Sequence, residues 1–141
     1  MNISELRQKA QRGSSVAQTI LGTCYLEGID VEVNLNEAFR LLSSAAEQGA
    51  PRAMTNLARM YAEGLGTTKN LEEAVRVYQA AAEAGEFLAQ VALGRIYSRG
   101  MGIPVNPEAA RKWYSTAAAQ EGSVDNCEEL REAKAYVTKP F

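Results

Sequence analysis

The chain of 141 residues has no histidine. That removes Ser–His and Cys–His nucleophilic pairs and the commonest metal ligand, and with them most familiar hydrolase mechanisms. A large excess of either charge is missing too: 15 Lys and Arg stand against 17 Asp and Glu, a net charge of -2. No basic surface for nucleic acid is indicated. No run approaches the roughly 20 apolar residues that span a bilayer, and the opening "MNISELRQKA" lacks the apolar core of a secretory signal. The expectation is a soluble, cytoplasmic chain with no nucleic-acid or membrane partner, no cofactor and no metal, although a leader already removed would leave no trace. The two cysteines, Cys24 and Cys127, stand far apart in the sequence. A disulfide needs Cα atoms within about 7 Å, so both read as unbridged, buried thiols.

What is present is a repeat. The segments "AQTILGTCYLEG" (17–28), "AMTNLARMYAEG" (53–64) and "AQVALGRIYSRG" (89–100) superpose Ala17, Ala53 and Ala89, then Leu21, Leu57 and Leu93, then Tyr25, Tyr61 and Tyr97, at a constant offset of 36. A second segment keeps that offset: "NLNEAFRLLSSAAEQG" (34–49), "NLEEAVRVYQAAAEAG" (70–85) and "NPEAARKWYSTAAAQEG" (106–122), the last with one extra residue before its glycine. Residues 2–13 match the back half of this second segment, so the chain begins inside a repeat. With 46% hydrophobic residues, a chain this long can bury a sizeable core.

Each unit reads as two amphipathic helices. Ala17, Ile20, Leu21, Cys24 and Tyr25 form an i, i+3, i+4, i+7, i+8 stripe in the first, and Ala38, Leu41, Leu42, Ala45 and Ala46 form one in the second. Trp113, Tyr114 and Tyr78 fall on second-helix stripes and are expected in the core. Asn34, Asn70 and Asn106 stand where N-caps are needed, with Glu37 and Glu73 placed as capping-box partners. Gly49 and Gly85 suit left-handed C-caps. A mid-helix glycine costs about 1 kcal/mol against alanine, yet Gly94 has Gly22 and Ala58 as equivalents. That position demands a small residue, so that the partner helix of the hairpin can approach.

The run Ala89, Leu93, Gly94, Tyr97, Gly100, Gly102, Ala110, Trp113, Tyr114, Ala117 and Ala118 resembles the Sel-1-like repeat, a relative of the tetratricopeptide repeat. The resemblance implies an all-α fold, a right-handed superhelical solenoid of antiparallel helix pairs. It implies one domain over 1–141: an N-terminal half-repeat helix (1–13), repeats at 14–49, 50–85 and 86–122, and a capping helix over 123–138. Cys127, Leu130, Ala133 and Val137 of that helix would face inward, and Asp125, Glu128, Glu129 and Glu132 would face water. Asp30 replaces the second glycine of the Gly-x-Gly loop, which predicts a differently shaped loop in the first repeat. Some secreted members staple each repeat with paired cysteines; the lack of such pairs here points to a reducing compartment.

The resemblance further implies an adaptor or regulator that is not an enzyme and that holds a protein or peptide segment in a concave groove lined by the first helices. Groove-facing positions would then be Val16, Thr19, Thr23, Leu26 and Glu27 in the first repeat, with Ala62 and Ser98 at two later ones. The candidate binding residues are Arg52, Thr55, Arg59, Glu63, Leu88, Val91, Arg95 and Arg99. Arginine beside exposed aliphatics is a hot-spot composition, suited to an acidic segment or a C-terminal carboxylate. The bland alternative is an ion ladder, Arg59 with Glu63 and Glu63 with Arg99, which leaves Arg95 and Arg52 without an acid. Asn56 would either hold a partner's backbone or serve as a satisfied inter-helix amide. Alternative functions are an inhibitor or immunity protein capping a cognate enzyme or toxin, a self-associating structural unit, and, distantly, a hydrolase using Glu27 and Glu63.

Overall fold

The computed structural model describes residues 2–122 and 127–139, and every regular element among them is an α-helix. The chain forms two compact units, Met1–Val77 and Tyr78–Phe141. The first holds α1 (Ile3–Gln11), α2 (Ser15–Glu27), α3 (Leu35–Glu47), α4 (Pro51–Glu63) and the start of α5 (Leu71–Glu83). The second holds the rest of α5, then α6 (Phe87–Arg99), α7 (Pro107–Ala118) and α8 (Glu128–Thr138). The class is that of an all-α solenoid of helix pairs, three repeats with a flanking helix at each end.

Local chemistry sets the boundaries. The side chains of Asn34, Asn70 and Asn106 accept from the backbone N–H of Glu37, Glu73 and Ala109 at 3.1, 3.0 and 3.1 Å, the N-caps expected from their spacing. Glu37 and Glu73 do not complete capping boxes; each pairs instead with the arginine three residues on, Arg40 and Arg76. The N–H groups of Asn34 and Asn70 that would complete the boxes donate instead to the Tyr25 and Tyr61 carbonyls, at 2.9 and 2.8 Å, which leaves the two glutamates to the arginines. Gly49 and Gly85 end second helices with φ of 85° and 95°, the left-handed region that other residues avoid.

In the first unit Leu6, Ala10, Ala17, Leu21 and Leu41 form one core cluster, with Ile3 and Tyr25 packed at its edge. α2 packs on α1 and α3, and α4 packs on α3 and touches α2. In the second unit Phe87, Val91, Tyr114, Ala117, Leu130 and Ala133 cluster, and α8 packs on α7 and touches α6 in the same manner. α8 therefore occupies the place of a further first helix. Gly22 and Gly94 are where hairpins close: a Cβ on Gly22 would stand 2.8 Å from Leu42 Cγ, and one on Gly94 2.7 Å from the Tyr114 ring.

Two buried glutamines tie second helices to first. Gln18 donates to the Ala10 carbonyl at 3.2 Å and accepts from Gln48 at 2.9 Å. Gln90 repeats this, donating to Ala82 at 3.1 Å and accepting from Gln120 at 2.7 Å. Their equivalents in the middle repeat are Met54 and Ala84, an apolar pair in both places.

Candidate functional site

On α2 the exposed line runs through Val16, Ile20, Thr23 and Glu27: Val16 is 67% and Ile20 42% exposed, Thr23 half-buried and Glu27 exposed. Steps of four, three and four residues stay on one side of a helix with 3.6 residues per turn. The same line is Arg52, Asn56, Arg59 and Glu63 on α4, and Leu88, Ala92, Arg95 and Arg99 on α6.

Two predicted binding residues do not belong to it. Thr55 is buried, its hydroxyl donating to the Pro51 carbonyl at 3.2 Å, and Val91 is 1% exposed within the cluster around Tyr114 and Leu130. Thr19 and Leu26 are buried as well, while Ile20, expected in the core, is exposed. A first helix in a stack is covered on two sides, by its own second helix and by a neighbouring first helix, so only a narrow strip stays open. The two-residue-wide strip expected from the sequence was too broad and centred one position off.

Polar contacts join the strips within each unit. In the first, Asn56 Nδ2 donates to Thr23 Oγ1 at 3.0 Å, the inter-helix amide reading of that residue. Arg59 Nη1 reaches Glu27 Oε1 at 2.6 Å and its Nε reaches Glu63 Oε2 at 2.8 Å. Burial works against the Arg59 charge, but the hydrogen bonds it donates to these two carboxylates outweigh that and hold its pKa above the usual arginine value. Arg52 is exposed and forms no ion pair among the described residues.

In the second unit Arg95 Nε donates to Glu132 Oε2 at 2.8 Å, and Tyr114 Oη donates to the same oxygen at 2.8 Å. Arg95 thus has the acid that its own repeat lacks, supplied by α8, and Glu132 is half-buried rather than solvated. Both corrections have one cause: α8 lies against α6 at the register of a next first helix, which is invisible until the helices are docked. Burial opposes ionisation of Glu132, yet the Arg95 and Tyr114 hydrogen bonds prevail and keep its pKa below the usual carboxylate value. Burial, followed by the Glu132 hydrogen bond, pushes Tyr114 well above the usual phenol range. Leu130 and Ala133 are buried and Cys127 and Val137 half-buried, Glu128 is exposed and Glu129 half-buried, and Asp125 lies outside the described residues. Leu88 and Arg99 are exposed. Among the described residues no cluster of His, Cys, Asp or Glu could hold a metal, and no helix is long and apolar enough to cross a membrane.

The Sel1 repeat matches residues 15–49, 51–86 and 88–121. The chain belongs to the Sel1-repeat family, whose members generally mediate protein–protein interaction. A Sel1 repeat protein from Oxalobacter formigenes is similar in structure, with a TM-score of 0.76 and 34% identity over 89% of this chain and 49% of that one. So is c5321, a protective antigen of uropathogenic Escherichia coli with an SLR fold, with a TM-score of 0.80 and 31% identity over 98% of this chain and 33% of that one. The present chain spans about half and one third of the lengths of these two proteins. Comparison with curated proteins finds no match.

Proposed function

We propose that this chain is a non-enzymatic interaction module that binds a protein or peptide segment along the open strips of its first helices. The observation that carries the reading is the pair Val16 and Ile20, two aliphatic side chains one turn apart on α2, 67% and 42% exposed. An apolar pair facing water gains free energy only when something covers it. Leu88 on α6 is the corresponding exposed aliphatic of the second unit. Arg52 and Arg99, exposed and outside the ion pairs formed by Arg59 and Arg95, supply positive charge for an acidic segment or a C-terminal carboxylate.

Arg59 and Arg95 serve chiefly the strips themselves, tying α4 to α2 through Glu27 and α6 to α8 through Glu132, and Glu63 holds Arg59 from within α4. Use of Glu27 and Glu63 as an acid–base pair is disfavoured, because each spends an oxygen on the same guanidinium. Two free thiols, Cys24 buried and Cys127 half-buried, suit a reducing, cytoplasmic setting.

The test is capture of partners from lysate of the protein's own host by the tagged wild type and by Val16→Asp/Ile20→Asp, after circular dichroism shows that both are equally helical. Loss of a specific partner with the double variant supports the reading. Retention of that partner by the double variant and by Arg52→Glu alike overturns it, and retention by the double variant with loss on Arg52→Glu moves the contact from α2 to the α4 strip.

A further inference from the structure

Beyond the first-helix strips, the first unit holds a small polar cleft between α1, α2 and α3. It has a volume of about 180 Å³ and is lined by Arg7, Tyr25, Glu37 and Arg40 above a floor of Ala10, Leu21 and Leu41. Tyr25 lies nine residues from Val16 along α2, about two and a half turns, and so on the opposite side of that helix. Both Arg7 Nε and Nη2 donate to the Tyr25 hydroxyl, at 3.3 and 3.0 Å. Arg7 has no ion-pair partner among the described residues, whereas Arg40 pairs with Glu37. Two guanidiniums against one carboxylate leave the cleft one positive charge in excess.

The repeat supplies an internal comparison. Thirty-six residues on, Tyr61, Glu73 and Arg76 reproduce Tyr25, Glu37 and Arg40, and Arg76 pairs with Glu73. The position of Arg7 is there taken by Ser43. The tyrosine–glutamate–arginine frame is therefore complete and charge-balanced without a second arginine, and packing does not require one.

We propose that this cleft binds a carboxylate, the side chain of an acidic residue of a partner protein. The volume admits one side chain rather than a stretch of backbone. The planar fork of Arg7 matches a carboxylate's two oxygens better than it matches a neutral phenol oxygen. With Arg7 donating to its oxygen, the Tyr25 hydroxyl keeps its own proton to offer. Arg40 is held by an exposed pair that an entering anion can share at little cost.

The experiment follows the arginine Nε–H resonances in ¹H–¹⁵N spectra while sodium acetate is added, with sodium chloride at matched ionic strength and sodium phosphate as separate arms. Saturating shifts of Arg7 and Arg40 with acetate are expected, with none from chloride and none at Arg76. Arg7→Gln should weaken the Arg40 response by about tenfold or more, the loss of one charged hydrogen-bonding group. Arg7 is exposed and α1 docks through Leu6 and Ala10, so that variant keeps its fold. Equal responses to acetate and chloride, a parallel shift of Arg76, an Arg40 response unchanged by Arg7→Gln, or saturation by phosphate alone would each overturn the proposal.

Discussion

Gly94 lies against the face of the Tyr114 ring: a Cβ there would stand 2.7 Å from Cε2 and 2.8 Å from Cδ2 and Cγ. The ring has nowhere to go, because its hydroxyl is tied to Glu132 at 2.8 Å and its other neighbour is Tyr136, with centroids 4.6 Å apart. Gly94→Ala gains about 1 kcal/mol of helix propensity but overpacks a rigid contact, which costs about 1–3 kcal/mol. At Gly22 the obstacles are Leu42 Cγ at 2.8 Å and Leu41 Cβ at 3.3 Å, aliphatic groups that no hydrogen bond holds in place but that are themselves buried. Chemical denaturation should show Gly94→Ala to be the more destabilised of the two and Gly22→Ala the less; the reverse order would refute the role given to the Tyr114 anchor.

The need for a small residue at that position was legible in the sequence, because three aligned copies carry Gly22, Ala58 and Gly94. So were the helix pairs and the asparagine caps, which depend on local spacing alone. The open strip was legible only in part. Arg52, Leu88 and Arg99 fall on it, and Arg59 and Arg95 lie half-buried along it, but Thr55 and Val91 are covered by neighbouring elements, and periodicity within one helix cannot say how widely its neighbours cover it. Glu132 was missed for a related reason: its partners Arg95 and Tyr114 come from two other helices. One signal was available, namely that adding the extra residue of the third repeat to the 36-residue offset aligns Glu132 with Arg95 itself.

The glutamine pairs predict a coupling. Gln90 is 2% exposed and satisfies both the Ala82 carbonyl and the Gln120 side chain. Gln90→Met should cost about 1–3 kcal/mol, because buried polar groups lose their partner. The middle repeat carries Met54 and Ala84 at the two equivalent positions, so Gln90→Met/Gln120→Ala should cost less than the sum of its single changes. A double-mutant cycle with a coupling of about 0.5–2 kcal/mol is expected, and strict additivity would show that the two glutamines act independently.

The Arg95–Glu132–Tyr114 contact predicts an acid limb in stability. The folded-state pKa of Glu132 lies below its ordinary value of 4.5, so the folded chain binds this proton less readily than the unfolded chain. The stabilisation is therefore fully present above about pH 4.5 and is lost as pH falls through the folded pKa. Glu132→Gln should cost about 1–2 kcal/mol at neutral pH, the upper part of that range being reduced by partial exposure. The gap between variant and wild type should close on acidification. Denaturation midpoints measured from neutral pH to below pH 4 test this, and a gap that stays constant would exclude a charged contact.

Asp30 and Gly66 occupy equivalent places in the loops after α2 and α4 and share a backbone conformation, with φ of 60° and 69°. The first loop therefore keeps the left-handed turn that its aspartate was expected to disturb, since aspartate tolerates this region better than most residues. The two positions are nevertheless not interchangeable. Asp30→Gly relieves a modest conformational cost while loosening the unfolded chain, and should change stability by less than about 1 kcal/mol. At Gly66 a Cβ would stand 2.5 Å from the Leu35 carbonyl oxygen, and backbone cannot rotate aside as a side chain can. Gly66→Asp combines that clash with left-handed strain and should cost about 2–4 kcal/mol. Equal effects of the two substitutions on the urea midpoint would mean that φ alone, and not the approach of α3 to this loop, selects glycine there.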